Sequence, residues 1–383
     1  MNKNNNSDLL PEGFKVLLPY DAEKEEFLSR KILDMLNKNG YLLVKTPLLE
    51  YEDTKINSND FQLQNNKHEP FILMEPSTKR ILVIRPDITP QIAKLASTKL
   101  NRVKRPIRLM YSGEVLRNTK NFYQSDRQYQ QIGAELIGAP YNKGLLEIIK
   151  LTKKIINNLK IKNTIIDFSA PSLMRYLKTL IDFKTSEGIV INDAIQNKDS
   201  SLIKIKKYEY LKRIIECSGS LNKAKSNFKK SKLPLKVKSL LEFFFNTLDY
   251  VKKHEPEILL TVDISEGNSF LNYQNLGFKV YNKDDSNVIA VGGDYLLDNN
   301  ELGIGITLMT NNICDSFKYK EKEKVYVEYN VKEGLLKKIE KSNKVYIREL
   351  FPNKNSLTEA RSLKCSYILN KMGKLKKIGK INQ

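Results

Sequence analysis

The first regular pattern of apolar positions lies near the start of the chain. Five apolar residues recur at the spacing of an amphipathic helix, and they are Phe27, Leu28, Ile32, Met35 and Leu36. Gly40 is placed to end this helix, because glycine readily adopts the left-handed conformation that follows a last turn. Residues 41–44 are then typical of a strand, which Pro47 ends. Such a helix–strand unit is common and indicates no function by itself.

Further apolar runs predict strands and helices along the rest of the chain. The predicted strands are 71–74, 81–84, 107–111, 130–137, 164–168, 258–262, 276–281, 288–291 and 304–308, and the predicted helices are 91–100 and 144–160. Residues 57–69 are polar and predict a loop. Residues 171–255 predict a helical insertion without a chemical motif. The polar loop at 118–126 indicates that the strands on either side of it form an antiparallel pair.

The pattern changes after a charged linker at 318–324. Beyond it, strands 325–329, 345–347 and 367–369 alternate with helices, which predicts a small α/β unit with a parallel sheet. The preceding region has few βαβ repeats, so its fold class is predicted as α+β. The predicted domains are a disordered leader at 1–8, a core at 9–318 that contains the insertion 171–255, and a C-terminal α/β unit at 322–383.

Composition excludes several classes of protein. The chain has 383 residues, of which 40% are hydrophobic, and this supports one large domain and a small one. No apolar run is long enough to predict a membrane span, and residues 1–8 lack the apolar segment of a secretory signal. Three widely separated cysteines fit a reducing cytoplasm without disulfides or a zinc site. With only His68 and His254, a histidine-based metal site or a Ser-His-Asp triad is not expected.

The net charge of +21 raises the question of nucleic-acid binding. Lysine far outnumbers arginine, and asparagine is abundant, as in residues 2–6. This bias favours a generally basic, solvated surface over an RNA-binding face, because nucleic-acid readers favour the bidentate guanidinium of arginine. RNA binding remains an alternative.

One group of candidate binding residues lies at 85–89, where a predicted strand leads into a helix. Asp87 and Thr89 could together accept hydrogen bonds from an ammonium group. They are also good helix caps, and Pro90 suits the first turn. Local pattern alone favours capping.

A second group lies on the strand pair. Gln131, Gly133 and Glu135 share one face of their strand, an unusual set for a core position. That face would suit a small polar ligand lying against the glycine, and Arg117 could bind a carboxylate bidentately. An exposed face with an Arg117–Glu135 ion pair is an equally good interpretation. A third candidate, Gly292-Gly293-Asp294, lacks any phosphate-binding motif and predicts a hairpin turn.

Taken in order, several segments resemble the core of class II aminoacyl-tRNA synthetases, and within that class the histidyl-tRNA synthetase family. The segments that carry the resemblance are Leu10-Pro11-Glu12-Gly13-Phe14, Arg85-Pro86-Asp87-Ile88-Thr89-Pro90-Gln91, Tyr111-Ser112-Gly113-Glu114-Val115-Leu116-Arg117 and Gln131-Ile132-Gly133-Ala134-Glu135-Leu136-Ile137-Gly138. The amino-acid sequences of these segments are most similar to those of the regulatory subunits of ATP phosphoribosyltransferase, a paralogous family that acts in histidine biosynthesis. The resemblance is dense over 9–140, faint over 171–255 and recognisable again over 258–310.

The resemblance implies an antiparallel sheet with flanking helices and a histidine-binding set. Position by position, that set falls on Asp87, Thr89, Arg117, Gln131 and Glu135. By this resemblance, Asp87, Thr89 and Gln131 surround the α-amino group of histidine, and Glu135 faces the imidazole. The short C-terminal unit resembles a truncated remnant of an anticodon-binding domain.

The departures from the synthetase pattern concern the groups that hold ATP. Thr119 stands where an acid is expected, and Asn268, Asp294 and Thr310 stand where arginines are expected. Loss of these cations removes the charge neutralisation that attack at a phosphate requires. The loss of the arginine at 268 also departs from the regulatory family.

The sequence therefore predicts a non-catalytic regulatory subunit in the cytoplasm, with no cofactor or metal. It would assemble with the short-form catalytic subunit of ATP phosphoribosyltransferase, convey feedback inhibition by histidine, and form a self-dimer through its core. A diverged histidyl-tRNA synthetase and a synthetase-like RNA-binding protein are the alternatives, although tRNA is not the expected partner.

Overall fold

The computed structural model describes residues 10–52, 70–118, 126–264, 266, 273–342 and 344–379. Residues 1–317 and 318–383 form two compact units. The sequence predicts the boundary between the units at 318–322. The predicted leader, the polar segment 57–69 and the positions Thr119 and Asn268 lie outside the described residues.

The first unit begins with the predicted helix, α1 (Pro19–Lys38). The predicted stripe is confirmed at four positions, since Leu28, Ile32, Met35 and Leu36 are buried. The prediction was wrong for Phe27, which is 46% exposed. Gly40 follows the helix with φ +85°, so the predicted end is confirmed.

A nine-stranded sheet forms the centre of this unit, in the order β1-β5-β6-β12-β11-β10-β7-β9-β8. Its strands are β1 (Leu42–Val44), β5 (Ile107–Leu116), β6 (Gln128–Ile137), β7 (Thr164–Ser169), β8 (Gly219–Ser220), β9 (Leu260–Val262), β10 (Gly277–Asn282), β11 (Val288–Leu296) and β12 (Leu302–Met309). β5 and β6 pair antiparallel, as predicted. Among the described strands of this sheet, only the pairs β1–β5 and β7–β9 are parallel.

Helices cover the sheet on both faces. The remaining helices of the unit are α2 (Thr89–Ser97), α3 (Tyr141–Asn158), α4 (Pro171–Leu180), α5 (Ser186–Gln196), α6 (Tyr210–Glu216), α7 (Leu221–Lys230), α8 (Leu235–His254) and α9 (Thr310–Ser316). α2 packs its apolar face against Leu109, Tyr111 and Tyr295. α3 packs on the opposite face, where the backbone of Gly144 lies close to Ile304. The segment 171–255 is mostly helical, as predicted, with short 3-10 turns at Ser200–Leu202 and Lys206–Tyr208.

A small three-stranded sheet stands beside α2. It is formed by β2 (Leu49–Tyr51), β3 (Ile72–Met74) and β4 (Ile81–Ile84), in the order β2-β4-β3. Every residue of β3 is exposed, although all three are apolar. Exposed apolar residues in a row are unusual for a strand.

The second unit is the small α/β fold that the sequence predicts. Its strands β13 (Glu323–Val327), β14 (Lys344–Arg348) and β15 (Tyr367–Leu369) pair in parallel, with helices α10 (Glu333–Glu340) and α11 (Ser356–Ser362) between them. An additional strand, β16 (Leu375–Lys377), pairs antiparallel with β15 and was not predicted.

One local prediction was wrong. Gly292-Gly293-Asp294 is not a hairpin turn but part of β11. The two glycines pair with both β10 and β12, and Asp294 pairs with β12. Among the helices described in the two units, none has the length and apolarity to cross a membrane.

Candidate functional site

Asp87 lies where the chain leaves β4 and enters α2. Its Oδ1 atom accepts a hydrogen bond from the Thr89 backbone N–H at 3.0 Å. The same oxygen accepts a second bond, at 2.8 Å, from the side-chain amide of Gln131. The capping interpretation was wrong for both candidates, Asp87 and Thr89, since the N-cap position of α2 is Ile88 and no side chain caps the helix there. Oδ2 accepts no hydrogen bond within the described part of the chain. Asp87 therefore binds the backbone of Thr89 and the side chain of Gln131 through one oxygen and keeps the other oxygen available.

Gln131 of β6 links the start of α2 to the central sheet through two hydrogen bonds. Its Oε1 accepts from the Ile88 backbone N–H at 2.8 Å, while its Nε2 donates to Asp87. The side chain is 1% exposed. Because both ends of the amide are bonded, Gln131 fixes the position of the Asp87 carboxylate relative to β6.

Glu135, further along the same face of β6, is also 1% exposed. The Tyr295 hydroxyl donates to its Oε2 at 2.7 Å, and the Thr89 hydroxyl donates to its Oε1 at 3.1 Å. Burial raises the pKa of the Glu135 carboxyl to about 8, and the hydroxyl donors oppose that rise. At neutral pH the carboxyl is therefore largely protonated.

Three side chains of the site were missed in the sequence. The Tyr111 hydroxyl lies 3.0 Å from the hydroxyls of both Thr89 and Thr307, and Tyr295 contacts Glu135. They occupy the face of their strands that Glu135 occupies on β6, because Tyr111 pairs with Gly133 and Thr307 pairs with the same glycine. The sequence shows that these residues occupy alternate positions of their strands. Because their neighbours are apolar, they resemble ordinary core residues.

Glycines form the floor beneath these side chains. A Cβ atom at Gly305 would overlap Glu135 Oε2, and one at Gly133 would overlap the Tyr111 hydroxyl. At Gly303 it would lie 2.5 Å from the Tyr295 ring. The absence of side chains at these positions lets the polar groups lie flat against the sheet.

Arg117 lies at the rim of the site. Its Nε donates to the Pro86 carbonyl at 3.1 Å, and its guanidinium lies 5.2 Å from the centre of the Tyr129 ring. The alternative of an exposed Arg117–Glu135 ion pair was wrong, since Glu135 is buried and bonded to hydroxyls. The Tyr129 hydroxyl is buried without a hydrogen-bond partner in the described chain. Tyr129 is thus a further polar group at the site that the sequence did not reveal.

Tyr273 covers the neighbouring part of the floor. Its ring lies 2.5 Å from where a Cβ of Gly293 would be. Burial raises the pKa of its hydroxyl first, and Asp87 and Glu135 raise it further, which places Tyr273 among the charges of the candidate site. Tyr273 therefore packs on the floor of the site, within electrostatic reach of both carboxyls.

Two of the positions where synthetases are expected to carry arginines can be described. The Asp294 carboxylate is fully buried and accepts from the backbone N–H of Leu276 at 2.7 Å and from that of Asn275 at 3.0 Å. The Thr310 hydroxyl is fully buried and donates to the Gln130 carbonyl at 2.6 Å. Both side chains hold the protein's own backbone, and neither offers a cation to a phosphate.

A separate cluster of acids contains Asp167, Asp263 and Glu266, whose carboxylate oxygens lie within 4.8 Å of one another. Lys198 contacts Asp263 at 2.5 Å, and Lys279 contacts Glu266. Burial raises the pKa of Asp167 to about 6. Two of the three acids are therefore paired with ammonium groups of the protein itself.

Solved structures of related proteins share this fold. A Bacillus halodurans protein described as an ATP phosphoribosyltransferase regulatory subunit/histidyl-tRNA synthetase superposes with a TM-score of 0.75 at 16% identity, over 97% of this chain and 99% of that one. A subunit of the HisG:HisZ ATP phosphoribosyltransferase complex from Thermotoga maritima has a TM-score of 0.55 at 20% identity, over 76% of this chain and 98% of its own. The α+β core is therefore of the class II synthetase type, as predicted.

Sequence comparison specifies the family within that class. The family model for histidyl-tRNA synthetase matches residues 13–313, and the chain belongs to that family. Curated relatives are ATP phosphoribosyltransferase regulatory subunits. That of Paramagnetospirillum magneticum is 26% identical over 316 residues, 82% of this chain and 83% of the relative. That of Gluconobacter oxydans is 26% identical over 365 residues, covering 94% and 95%.

Proposed function

We propose that this chain is the non-catalytic regulatory subunit of ATP phosphoribosyltransferase and acts with a short-form catalytic subunit in the first step of histidine biosynthesis. The proposal rests on the difference between the two sides of the site, the side for an amino acid and the side where a synthetase holds ATP. The amino-acid side keeps a bonded network around Asp87, Gln131 and Glu135, while Asp294 and Thr310 bind backbone where cations would hold ATP. The curated relatives support the same role. The chain is not an enzyme by itself.

Histidine is the proposed effector of this site. The available Asp87 Oδ2 and the Thr89 hydroxyl suit an α-ammonium group, and Arg117 suits a carboxylate. Glu135, with its proton, suits the imidazole, because proton transfer would create a carboxylate–imidazolium pair. Glu135 is buried in this structure, so we propose that the ligand reaches it by displacing Tyr273, whose ring packs against Gly293.

Displacement of Tyr273 offers a way for histidine to change the assembly. Feedback inhibition requires that histidine bind two states of the complex with different affinity. The loop that carries Tyr273 is bonded to Asp294 of β11 through the backbone N–H groups of Asn275 and Leu276, so a shift of this tyrosine would be transmitted to that strand. The regulatory signal is proposed to begin at this loop.

Reconstitution tests the function. The purified chain is added to a short-form catalytic subunit, and formation of phosphoribosyl-ATP is followed with and without histidine. We expect the chain to raise the rate at least about tenfold, which corresponds to a decrease of about 1.4 kcal/mol or more in the activation free energy. We also expect it to make the rate sensitive to histidine. With Glu135→Gln the activation should persist while histidine inhibition weakens. An unchanged rate and unchanged histidine sensitivity would refute the proposal.

The two alternatives predict other activities. A diverged synthetase would catalyse histidine-dependent exchange of pyrophosphate into ATP, and we expect none because Asp294 and Thr310 offer no cation. An RNA-binding protein would retain tRNA at physiological salt, whereas a merely basic surface loses it steeply as salt rises. The proposed site of action is the cytoplasm.

A self-dimer is proposed from the apolar surface of the first unit. Ile72, Met74 and Leu42 are 61%, 66% and 66% exposed, although they are strand residues. β1 and β3 are each the outer strand of their sheet, and exposed apolar edges favour pairing with another chain. The proposed interface therefore includes these two strands.

Changing Ile72 and Met74 together to Glu is expected to break this dimer, because burial of the two charges in an apolar interface is unfavourable. Light scattering coupled to gel filtration should show about twice the chain mass of 44.3 kDa for the unaltered protein and the single mass for the variant. Leu235→Glu is a matched control, since Leu235 is 88% exposed on α8. If the unaltered protein has the single mass, the self-dimer is excluded.

A further inference from the structure

A cavity of about 700 Å³ lies on the face of the central sheet opposite Glu135. It is bounded by the end of α1, by β5, and by helices α3 and α8. Along β5, Leu109 and Tyr111 face the candidate site, so the alternating residue Arg108 faces the cavity. The cavity is therefore separate from the site described above.

Three lysines on one face of α3 line this cavity. Lys143, Lys150 and Lys154 are seven and four residues apart, a spacing that places them along one side of a helix. The other side of α3 is buried in the core. From Lys143 to Lys154 the helix rises about 16 Å, at about 1.5 Å per residue. The three lysines therefore form a row of positive charges along the wall of the cavity.

The only carboxylate among the described residues that line the cavity is already neutralised. Glu147 accepts two hydrogen bonds of 2.7 Å from Arg108, and a third of 3.1 Å from the Tyr41 hydroxyl. Four cations and one carboxylate line the cavity, which leaves a net charge of 4 − 1 = +3.

The lysines themselves are little engaged by acids. Lys154 donates to the neutral Asn39 side chain at 2.8 Å, and Lys150 lies 3.8 Å from Glu255, which is bonded more closely to Lys153. Lys143 has no ion pair within the described chain. All three ammonium groups thus retain donors for a ligand.

We propose that this cavity binds a small molecule that carries two or more linked phosphates. Its volume lies within the range of about 300–1,000 Å³ of small-molecule sites. Lysine ammonium groups bind phosphate oxygens as point charges and accept them from several directions. Leu146 and Tyr250 add an apolar part to the lining, which suits a nucleoside or sugar attached to the phosphates. This site does not depend on the proposed regulatory function.

Calorimetric titration of the full chain tests the proposal. The probes are sodium tripolyphosphate, ATP, and adenosine as the phosphate-free control. We expect tripolyphosphate and ATP to bind saturably at one site per chain, and adenosine to show no binding. Tripolyphosphate binding without ATP binding would also support the site and would exclude ATP as its ligand.

Two variants separate the cavity from the general charge of the surface. The triple change Lys143→Ala, Lys150→Ala, Lys154→Ala should weaken tripolyphosphate at least about tenfold. The matched triple Lys229→Ala, Lys230→Ala, Lys236→Ala removes three exposed lysines outside the lining and should weaken it less than about twofold. Equal weakening by the two triples, or binding that does not saturate, would overturn the proposal.

A third variant should act in the opposite direction. Glu147→Gln removes the carboxylate that neutralises Arg108, so tripolyphosphate should bind about threefold more tightly. Thermal unfolding by circular dichroism checks that each variant is folded. A weakening of tripolyphosphate in folded Glu147→Gln would contradict an electropositive site at this place.

Discussion

Glu135→Gln is expected to weaken the binding of histidine about 10- to 100-fold at pH 7. The change preserves the shape of the side chain and leaves an oxygen for Tyr295, but it cannot give a proton to an imidazole. A hydrogen bond between charged groups contributes about 1.5–3 kcal/mol, which corresponds to this range of affinity. Calorimetric titration of histidine measures it. Glu114→Gln, at an exposed position of β5, is the matched control and should have no effect.

The pH dependence of histidine binding tests the proton itself. The pKa of the Glu135 carboxyl is raised to about 8, and that of a free imidazole is about 6.5. Between these values Glu135 keeps its proton while histidine is neutral, so the bound pair forms without exchanging a proton with solvent. Affinity should therefore be greatest between about pH 6.5 and pH 8 and should fall on both sides. The Glu135→Gln variant has no proton to transfer at this position, so the fall in affinity that is caused by ionisation of Glu135 near pH 8 should be absent from its profile.

The same carboxyl makes the stability of the protein depend on pH. Its pKa rises from 4.5 to about 8 on folding, so the native state binds more protons than the unfolded state between these values. The stabilisation is complete below pH 4.5 and is lost as pH rises to 8. Glu135→Gln should therefore be more stable than the unaltered protein at about pH 9, by a few kcal/mol at most. Identical pH profiles of binding and stability in the two proteins would exclude this role of Glu135.

Much of the fold was predictable because its elements have strong local signals. Strand 81–84 and the end of α1 at Gly40 follow from apolar spacing and a helix-ending glycine, and both are confirmed. β16 was missed because its Lys-rich sequence has no apolar alternation, and it forms only by pairing with β15. The glycines of β11 indicated a turn, whereas they make room for the rings of Tyr273 and Phe278. Local sequence does not distinguish these two uses of glycine.

The candidate site was predictable only in part, for a related reason. Gln131 and Glu135 were recognisable because charged or amide side chains are unusual on a core strand. Asp87 was interpreted as a helix cap, and only the three-dimensional arrangement shows that one of its oxygens binds Thr89 and Gln131 while the other stays available. Tyr111, Tyr129 and Tyr295 look like core aromatics in the sequence, since their hydroxyls meet partners or ligands only across strands.

Asp294→Ala is expected to lower the free energy of unfolding of the first unit by about 3 kcal/mol. The Asp294 carboxylate accepts hydrogen bonds from the backbone N–H of Asn275 at 3.0 Å and from that of Leu276 at 2.7 Å. It accepts a third, at 2.7 Å, from the side-chain amide of Asn275. Removing the carboxylate leaves buried donors without an acceptor, at about 1–3 kcal/mol for each. Burial raises the pKa of Asp294, so the lost cost of burying a charge offsets part of this sum.

Urea unfolding followed by far-UV circular dichroism measures the change, with the transitions of the two units fitted separately. Asp294→Asn keeps one acceptor oxygen and should show a smaller loss than Asp294→Ala. Asp298→Ala removes an exposed acid just beyond the end of the same strand and should change stability by less than about 0.5 kcal/mol. A loss below about 1 kcal/mol for Asp294→Ala would mean that the loop at 273–276 is held by other contacts. At position 294 the chain has an aspartate that supports this loop, where synthetases are expected to have an arginine that binds phosphate. Because the aspartate stabilises the loop, the position can differ from the synthetase pattern while the fold persists.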